Sequence, residues 1–322
     1  MRSGYSFKLE ESRKTAMPTY FVESARLSSF SELVNATLEL AKIRITFFVG
    51  MSAIFGYVLA ANQISPSMIL PVLGIFLLSC GSAALNHYQE RDTDGLMHRT
   101  RKRPLPSGIM SPQTVLFVVI GLSVAGSGMV LLAGNATALI LSLLAFASYN
   151  AIYTPLKKVT PFAVIPGSFV GSFPVMAGWA AAGGYALDPR LLAVTAFFFI
   201  WQIPHFWLLM DMYNADYERA NFPTLKIYFG ERTLSLLTYL WIAIMALTSV
   251  SFIITGVVDN ILTQATIAGL GLWLVIGTRK IISGTADKRT NKEAFMKINI
   301  YVLAITLVVM IDRVLSLPWR VS

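Results

Sequence analysis

Apolar residues fall along this chain in long unbroken blocks, not in alternation with polar ones. Nine blocks reach the roughly 20 residues that a helix needs to cross a bilayer. They lie at roughly 44–62, 68–86, 114–133, 136–154, 162–182, 191–210, 234–256, 261–278 and 298–317. None follows a period of two, so the spacing predicts helices and excludes a barrel. The expected fold is therefore all-α: a polytopic membrane protein built as a bundle of nine transmembrane helices. Helices satisfy their own backbone hydrogen bonds, which lipid requires. Glycines within the blocks, among them Gly121, Gly126, Gly128, Gly167, Gly171 and Gly178, are expected to let helices approach closely.

The polar residues are gathered in the connections that follow even-numbered blocks, at about 86–113, 155–161, 211–233 and 279–297. The opposite connections, such as AANQISPS and LLAGNA, are mostly short and nearly uncharged. Chemistry is therefore expected in loops on one side of the membrane. Of the 26 Lys and Arg residues, all but Arg190, Arg313 and Arg320 fall on that same side. The positive-inside bias makes it the cytoplasmic side, with the amino terminus inside and the carboxy terminus outside.

Composition adds little to that picture but closes alternatives. Only 13% of the 322 residues are charged and mean hydropathy is +0.62, against about a quarter charged in soluble domains. The net charge of +9 is accounted for by topology, so no nucleic-acid partner is implied. A single cysteine, Cys80, excludes an internal disulfide and any Cys-rich metal motif. Residues 1–40 are polar, with mixed charge and no apolar core preceding a cleavage site. They are expected to form a flexible or surface-lying cytoplasmic arm, ahead of a membrane domain at 41–322.

The densest polar stretch is NHYQERDTDGLMHRTRKRPLP, from Asn86 to Pro106. Asn86, Glu90 and Asp94 are spaced four apart, which places them on one helix face over two turns. An amide oxygen and two carboxylates are hard donors suited to Mg²⁺, which commonly takes one or two carboxylates beside phosphate oxygens and water. Arg99, Arg101, Lys102 and Arg103 follow at once. Carboxylates alone would repel a diphosphate; with a guanidinium clamp beside them, they suit a metal-bridged one. A solvated helix flank would explain Lys102, but not the ordered polar face, since polar groups at that depth are costly.

Two further clusters lie on the same side. YNAIYTPLKKVTP carries Tyr149, Tyr153, Lys157 and Lys158; WQIPHFWLLMDMYNADYERANFPTL carries Trp201, His205, Phe206, Asp211, Asp216 and Glu218. Asp211 and Asp216, five apart, sit on different helix faces. The three clusters are expected to converge on one cavity. Tyr149, Tyr153, Phe206 and Trp207 surround these polar residues with aromatic faces, and His205 stands at the end of an aromatic helix.

These three blocks, in this order, resemble the UbiA-type intramembrane prenyltransferases, in particular the subfamily that farnesylates heme. The family pattern NxxxDxxxD is similar to Asn86, Glu90 and Asp94, with Glu for Asp at 90. ERDTDGLMHRTRKRPLP, YTPLKKVTPFAVIPGSFVGSFPVMAGW and WQIPHF with DYERANFPTL resemble the subfamily's blocks. In the family's second acidic motif Asp216 matches the later position, whereas Met212 occupies the earlier one. The resemblance implies a Mg²⁺-dependent enzyme with farnesyl diphosphate as donor and heme B as acceptor. It implies metal ligands Asn86, Glu90, Asp94 and Asp216, and diphosphate contacts from Arg99, Arg103, Lys157 and Lys158. It also implies a porphyrin or prenyl pocket from Tyr149, Tyr153, Trp201, His205 and Phe206. A bacterial cytoplasmic membrane, and a heme A synthase or terminal-oxidase assembly as recipient, follow as expectations. An aromatic quinone precursor is the alternative acceptor. A secondary transporter is the alternative class, disfavoured because the acidic groups lie off the bilayer midplane.

Overall fold

The structure is a computed structural model that describes residues 30–133, 135–283 and 288–315. Among these residues, nine helices are long and apolar enough to cross a membrane. The helices are α1 (Phe30–Leu40), α2 (Ile43–Ala61), α3 (Ile69–Leu96), α4 (Pro112–Leu132), α5 (Ala136–Ala147) and α6 (Val164–Ala181). They continue with α7 (Pro189–Met212), α8 (Asn214–Arg219), α9 (Leu225–Thr248), α10 (Ser251–Ile254), α11 (Ile261–Thr278) and α12 (Lys288–Leu315). No strand occurs among the described residues.

All nine expected blocks are helical, but several helices outrun their blocks. α3 continues past residue 86 to Leu96, α9 begins at Leu225 and α12 at Lys288. Hydropathy marks only the part of a helix in hydrocarbon; backbone hydrogen bonding does not stop at that boundary. A kink at Gly230 (φ 68°, ψ 168°) sets off the first turn of α9, a backbone conformation that glycine adopts without steric cost. The arm predicted at 1–40 lies outside the described residues up to position 29. Its last part is α1, which packs on α3 and buries Ala36 and Leu40.

Helix starts follow local chemistry. Ser111 Oγ accepts from the Thr114 amide at 3.1 Å ahead of Pro112, and Asn135 Oδ1 accepts from the Ala138 amide at 2.8 Å. Asp188 does the same for Arg190 at 2.8 Å ahead of Pro189. Each satisfies an amide that the helix itself leaves unpaired. Between α5 and the turn Thr154–Leu156, the chain makes a π-helical turn, Ser148–Tyr153, in which the Thr154 amide bonds the Tyr149 carbonyl.

The interior is built by α2, α6, α7, α9 and α12 around Phe55, Trp179, Phe197, Phe198, Ile242, Met245, Phe252 and Tyr301. α2 and α6 touch backbone to backbone: a methyl at Gly56 would overlap the Val175 carbonyl, and one at Gly178 the Ala53 carbonyl. α3 and α4 meet similarly at Gly74 and Gly126. Gly121 and Gly128 face open space, so the expectation of close packing fails for these two. Large apolar side chains such as Phe117, Ile254 and Leu262 are exposed on the outside, where lipid would cover them.

Candidate functional site

The site is built on the extension of α3 beyond its apolar block. Asn86, Glu90 and Asp94 share one face and are all buried. Each is met by a cation from a different segment. Lys42 Nζ donates to Asn86 Oδ1 at 2.6 Å. Lys157 Nζ stands 2.6 Å from Glu90 Oε1, and Arg103 Nη1 donates to Asp94 Oδ2 at 2.7 Å. The Lys42 ammonium only donates, so the amide oxygen of Asn86 must face it, and Asn86 Nδ2 is left to donate to Thr154 Oγ1 at 3.0 Å. The Lys157 contact lies off the hydrogen-bonding direction, which leaves Glu90 Oε1 buried without an aligned donor.

Lys42 reaches the site because the chain breaks there. It sits between α1 and α2 with φ 48° and ψ 47°, a left-handed conformation that costs a non-glycine residue on the order of 1 kcal/mol and concentrates at functional positions. Its ammonium also donates to the Tyr149 hydroxyl at 3.3 Å. Burial pushes this ammonium down to about 7, Arg103 and Lys157 push the same way, and Glu90 and Asp94 oppose them. Burial also disfavours the charged form of Lys157, but the adjacent Glu90 carboxylate outweighs it and holds that ammonium above its usual range. Arg103, Lys157 and the buried Lys42 amine thus surround two carboxylates, and a nearby anion favours the charged form of Lys42. Such a cluster is short of negative charge and suited to an incoming anion.

The three loops meet at this end of the bundle, although not every predicted residue joins the cluster. Asp216 accepts from the backbone amides of His98 at 3.1 Å and Arg99 at 3.3 Å. It therefore ties the turn at the head of α8 to the arginine-bearing loop after α3. Arg99 is exposed and lies over the Tyr213 ring at 5.0 Å. Phe222 brings the third loop to within 6.0 Å of Lys157. Lys158 is exposed and donates to the Gln89 carbonyl at 3.3 Å, outside the cluster. Among the described residues, no three His, Cys, Asp or Glu side chains gather closely enough to hold a metal alone. The donors Asn86, Glu90 and Asp94 nonetheless fit a hard divalent cation whose shell is completed by phosphate oxygens and water.

An aromatic file leads away from the cations. Lys157 lies over Tyr153 at 5.3 Å, and Tyr153 stacks on Tyr149 at 5.8 Å. On its other side, Tyr153 meets Phe206 at 5.5 Å. Phe206 meets His205 at 5.6 Å, and His205 meets Trp201 at 5.0 Å. All five predicted pocket residues are in this file. Gly167 makes room for it: a methyl there would approach Tyr153 Cδ2 to 2.5 Å.

Sequence reasoning missed Lys42, Thr154 and Asn299. Lys42 read as a topology signal, since a lysine beside an apolar block normally is one. Asn299, which bonds His205, lies with Asn291 and Phe295 at intervals of four; that spacing was the available signal. Asp211, by contrast, turns away from the site, accepts from Asn291 and lies 3.9 Å from the Lys226 ammonium, as its five-residue offset from Asp216 predicts.

Comparison with known proteins gives the family and the fold. The UbiA prenyltransferase family pattern matches residues 49–301. A protoheme IX farnesyltransferase of Oleidesulfovibrio alaskensis is 31% identical over 294 residues, covering 88% of this chain and 98% of that one. One of Geobacter sulfurreducens is 37% identical over 215 residues, covering 66% and 79%. Among solved structures, a UbiA homolog from Archaeoglobus fulgidus bound to GPP and Mg²⁺ superposes with a TM-score of 0.64. It is 16% identical, and the match covers 85% of this chain and 99% of that one. A digeranylgeranylglyceryl phosphate synthase structure gives 0.71 at 16% identity, covering 88% and 99%. At these identities the structural likenesses speak to fold.

Proposed function

Because the chain belongs to the UbiA prenyltransferase family, we propose that this multi-pass membrane enzyme transfers the farnesyl group of farnesyl diphosphate to a vinyl group of heme B. The products are heme O and diphosphate. The observation that carries this reading is the buried cluster in which Lys42, Arg103 and Lys157 converge on one polar face of α3. It combines diphosphate-binding charge with metal-binding oxygens directly beside an aromatic file. The acceptor rests on the protoheme IX farnesyltransferases that resemble the chain over most of its length.

Ionisation breaks the C1–O bond of farnesyl diphosphate, and the electron pair leaves on the diphosphate oxygen. Lys42, Arg103 and Lys157 take up that charge, an electrostatic contribution that is in place before the reaction starts. When bound, Mg²⁺ held through Asn86, Glu90 and Asp94 would supply further neutralisation of the diphosphate. Asp216 serves the site by ordering the loop that bears Arg99 and Arg103. Tyr153 and Phe206 offer ring faces to the allylic cation. The vinyl π pair then bonds to C1, leaving a cation on the carbon beside the porphyrin ring. A water oxygen captures that carbon and loses a proton to solvent. No nucleophilic side chain is needed.

The termini follow the charge bias, with the amino terminus in the cytoplasm of a bacterial cell. Heme O would pass to a heme A synthase or terminal-oxidase assembly.

Purified protein in lipid nanodiscs, given farnesyl diphosphate, reduced protoheme and Mg²⁺, is expected to release diphosphate and yield extractable heme O; chelator is expected to stop both. Prenylation of an aromatic quinone precursor in place of heme would overturn the acceptor assignment. Gly167→Ala is expected to lower kcat about tenfold to a hundredfold. The added methyl displaces the Tyr153 ring from beneath Lys157, and misplacements on the order of 1 Å have effects of that size. Steady-state kinetics against Gly121→Ala, whose methyl meets nothing within 4 Å, checks it.

A further inference from the structure

His205 has a partner that fixes its protonation pattern. His205 Nδ1 lies 3.0 Å from Asn299 Oδ1 on α12. Asn299 Nδ2 donates to the Phe295 carbonyl, one helical turn back, at 2.5 Å. A carbonyl only accepts, so the amide nitrogen of Asn299 must face Phe295 and its oxygen must face His205. An amide oxygen also only accepts, so the proton of the neutral imidazole sits on Nδ1. Nε2 therefore carries the lone pair, and the bond seen to this ring among the described residues is the one at Nδ1. The plane of the ring is held as well: Trp201 lies at 5.0 Å, Phe206 at 5.6 Å and Phe295 at 4.8 Å.

A metal-ligating imidazole shows this arrangement, one nitrogen on the metal and the other donating to a fixed acceptor that sets the tautomer. A polar amide on a membrane helix is costly to keep, and here it does one thing beyond bonding its own helix. His205 is joined through Phe206 and Tyr153 to Lys157 and Glu90, so the imidazole and the diphosphate cluster stand at two ends of one aromatic file. We propose that Asn299 is a positioning residue that holds His205 in the Nδ1–H tautomer, presenting Nε2 as an axial ligand to the iron of the porphyrin substrate. This rests on the heme reading above and goes beyond it by assigning how the acceptor is held.

The test titrates ferric protoporphyrin IX into full-length protein in nanodiscs, followed by Soret absorption and electron paramagnetic resonance. The ferrous iron–histidine stretch is read by resonance Raman. Wild type is expected to show imidazole ligation that His205→Gly loses and added imidazole restores. Asn299→Leu is expected to weaken porphyrin binding about tenfold to a hundredfold and to diminish the histidine signature. Asn299→Asp, which keeps an acceptor oxygen and adds charge, is expected to retain ligation and raise the stretching frequency. That shift is one a merely structural contact would not produce. Unchanged spectra in both Asn299 variants would overturn the proposal, as would wild-type binding without imidazole ligation. Either result leaves the transferase reading standing; that reading fails separately, if farnesyl diphosphate and protoheme together yield no diphosphate.

Discussion

Asp94→Asn is expected to slow diphosphate release from farnesyl diphosphate by about 10²–10³-fold, the range seen when one preorganised electrostatic contributor is removed from a reaction centre. Asp94 is buried, and its Oδ2 is held by Arg103 at 2.7 Å. The substitution keeps the shape but removes the charge that orients the guanidinium and the hard donor that a divalent cation needs. It should also cost stability, because breaking a buried ion pair leaves the partner uncompensated, typically by about 3 kcal/mol or more. The double variant Asp94→Asn with Arg103→Gln separates the two effects: thermal stability should recover while turnover stays low. Stopped-assay measurement of diphosphate, with thermal stability followed in the same preparations, reads both. Near-normal turnover in Asp94→Asn would sink the assignment of this cluster as the reaction centre.

The second large effect concerns the scaffold. Gly178→Ala places a methyl on the Ala53 carbonyl, where α2 and α6 meet backbone to backbone. Neither neighbour is the flexible end of a side chain, so the helices themselves must part. Forced overpacking costs about 1–3 kcal/mol and occasionally more, and a backbone clash belongs at the top of that range. Gly128→Ala provides the control, since its added methyl meets nothing within 4 Å, and alanine is the better helix former by about 1 kcal/mol. Thermal aggregation of detergent-solubilised variants should show Gly178→Ala melting well below wild type and Gly128→Ala at or above it. Equal melting of the two would mean that α2 and α6 are less tightly joined than their backbones indicate.

The contrast between these glycines bears on what a single sequence can disclose. Gly126, Gly128 and Gly178 look alike in the chain, because composition carries no information about which side of an apolar helix faces a neighbour. The nine spans were legible since crossing lipid requires length and hydrophobicity, both local properties. The face formed by Asn86, Glu90 and Asp94 was legible for a related reason: charge at that depth is costly, and its fourfold spacing is a helical signature. Lys42 was not, because its role depends on a left-handed break between two helices, and a lysine at a membrane boundary already has a sufficient explanation. Asp216 lies near the loop after α3, yet its hydrogen bonds come from backbone amides, which leave no trace in side-chain chemistry.

The π-helical turn at Ser148–Tyr153 carries one residue more than an α-helical path would use. Immediately after it come Thr154, which bonds Asn86, and Lys157, which pairs with Glu90. Losing a residue here would tighten the turn and swivel both anchors by about 100°, since each α-helical residue advances the azimuth by that amount. The length of this segment therefore matters as much as the identity of Tyr149 and Tyr153 within it. An insertion in a loop at the far end of the bundle would lengthen the protein; a deletion here would unlatch the polar face of α3.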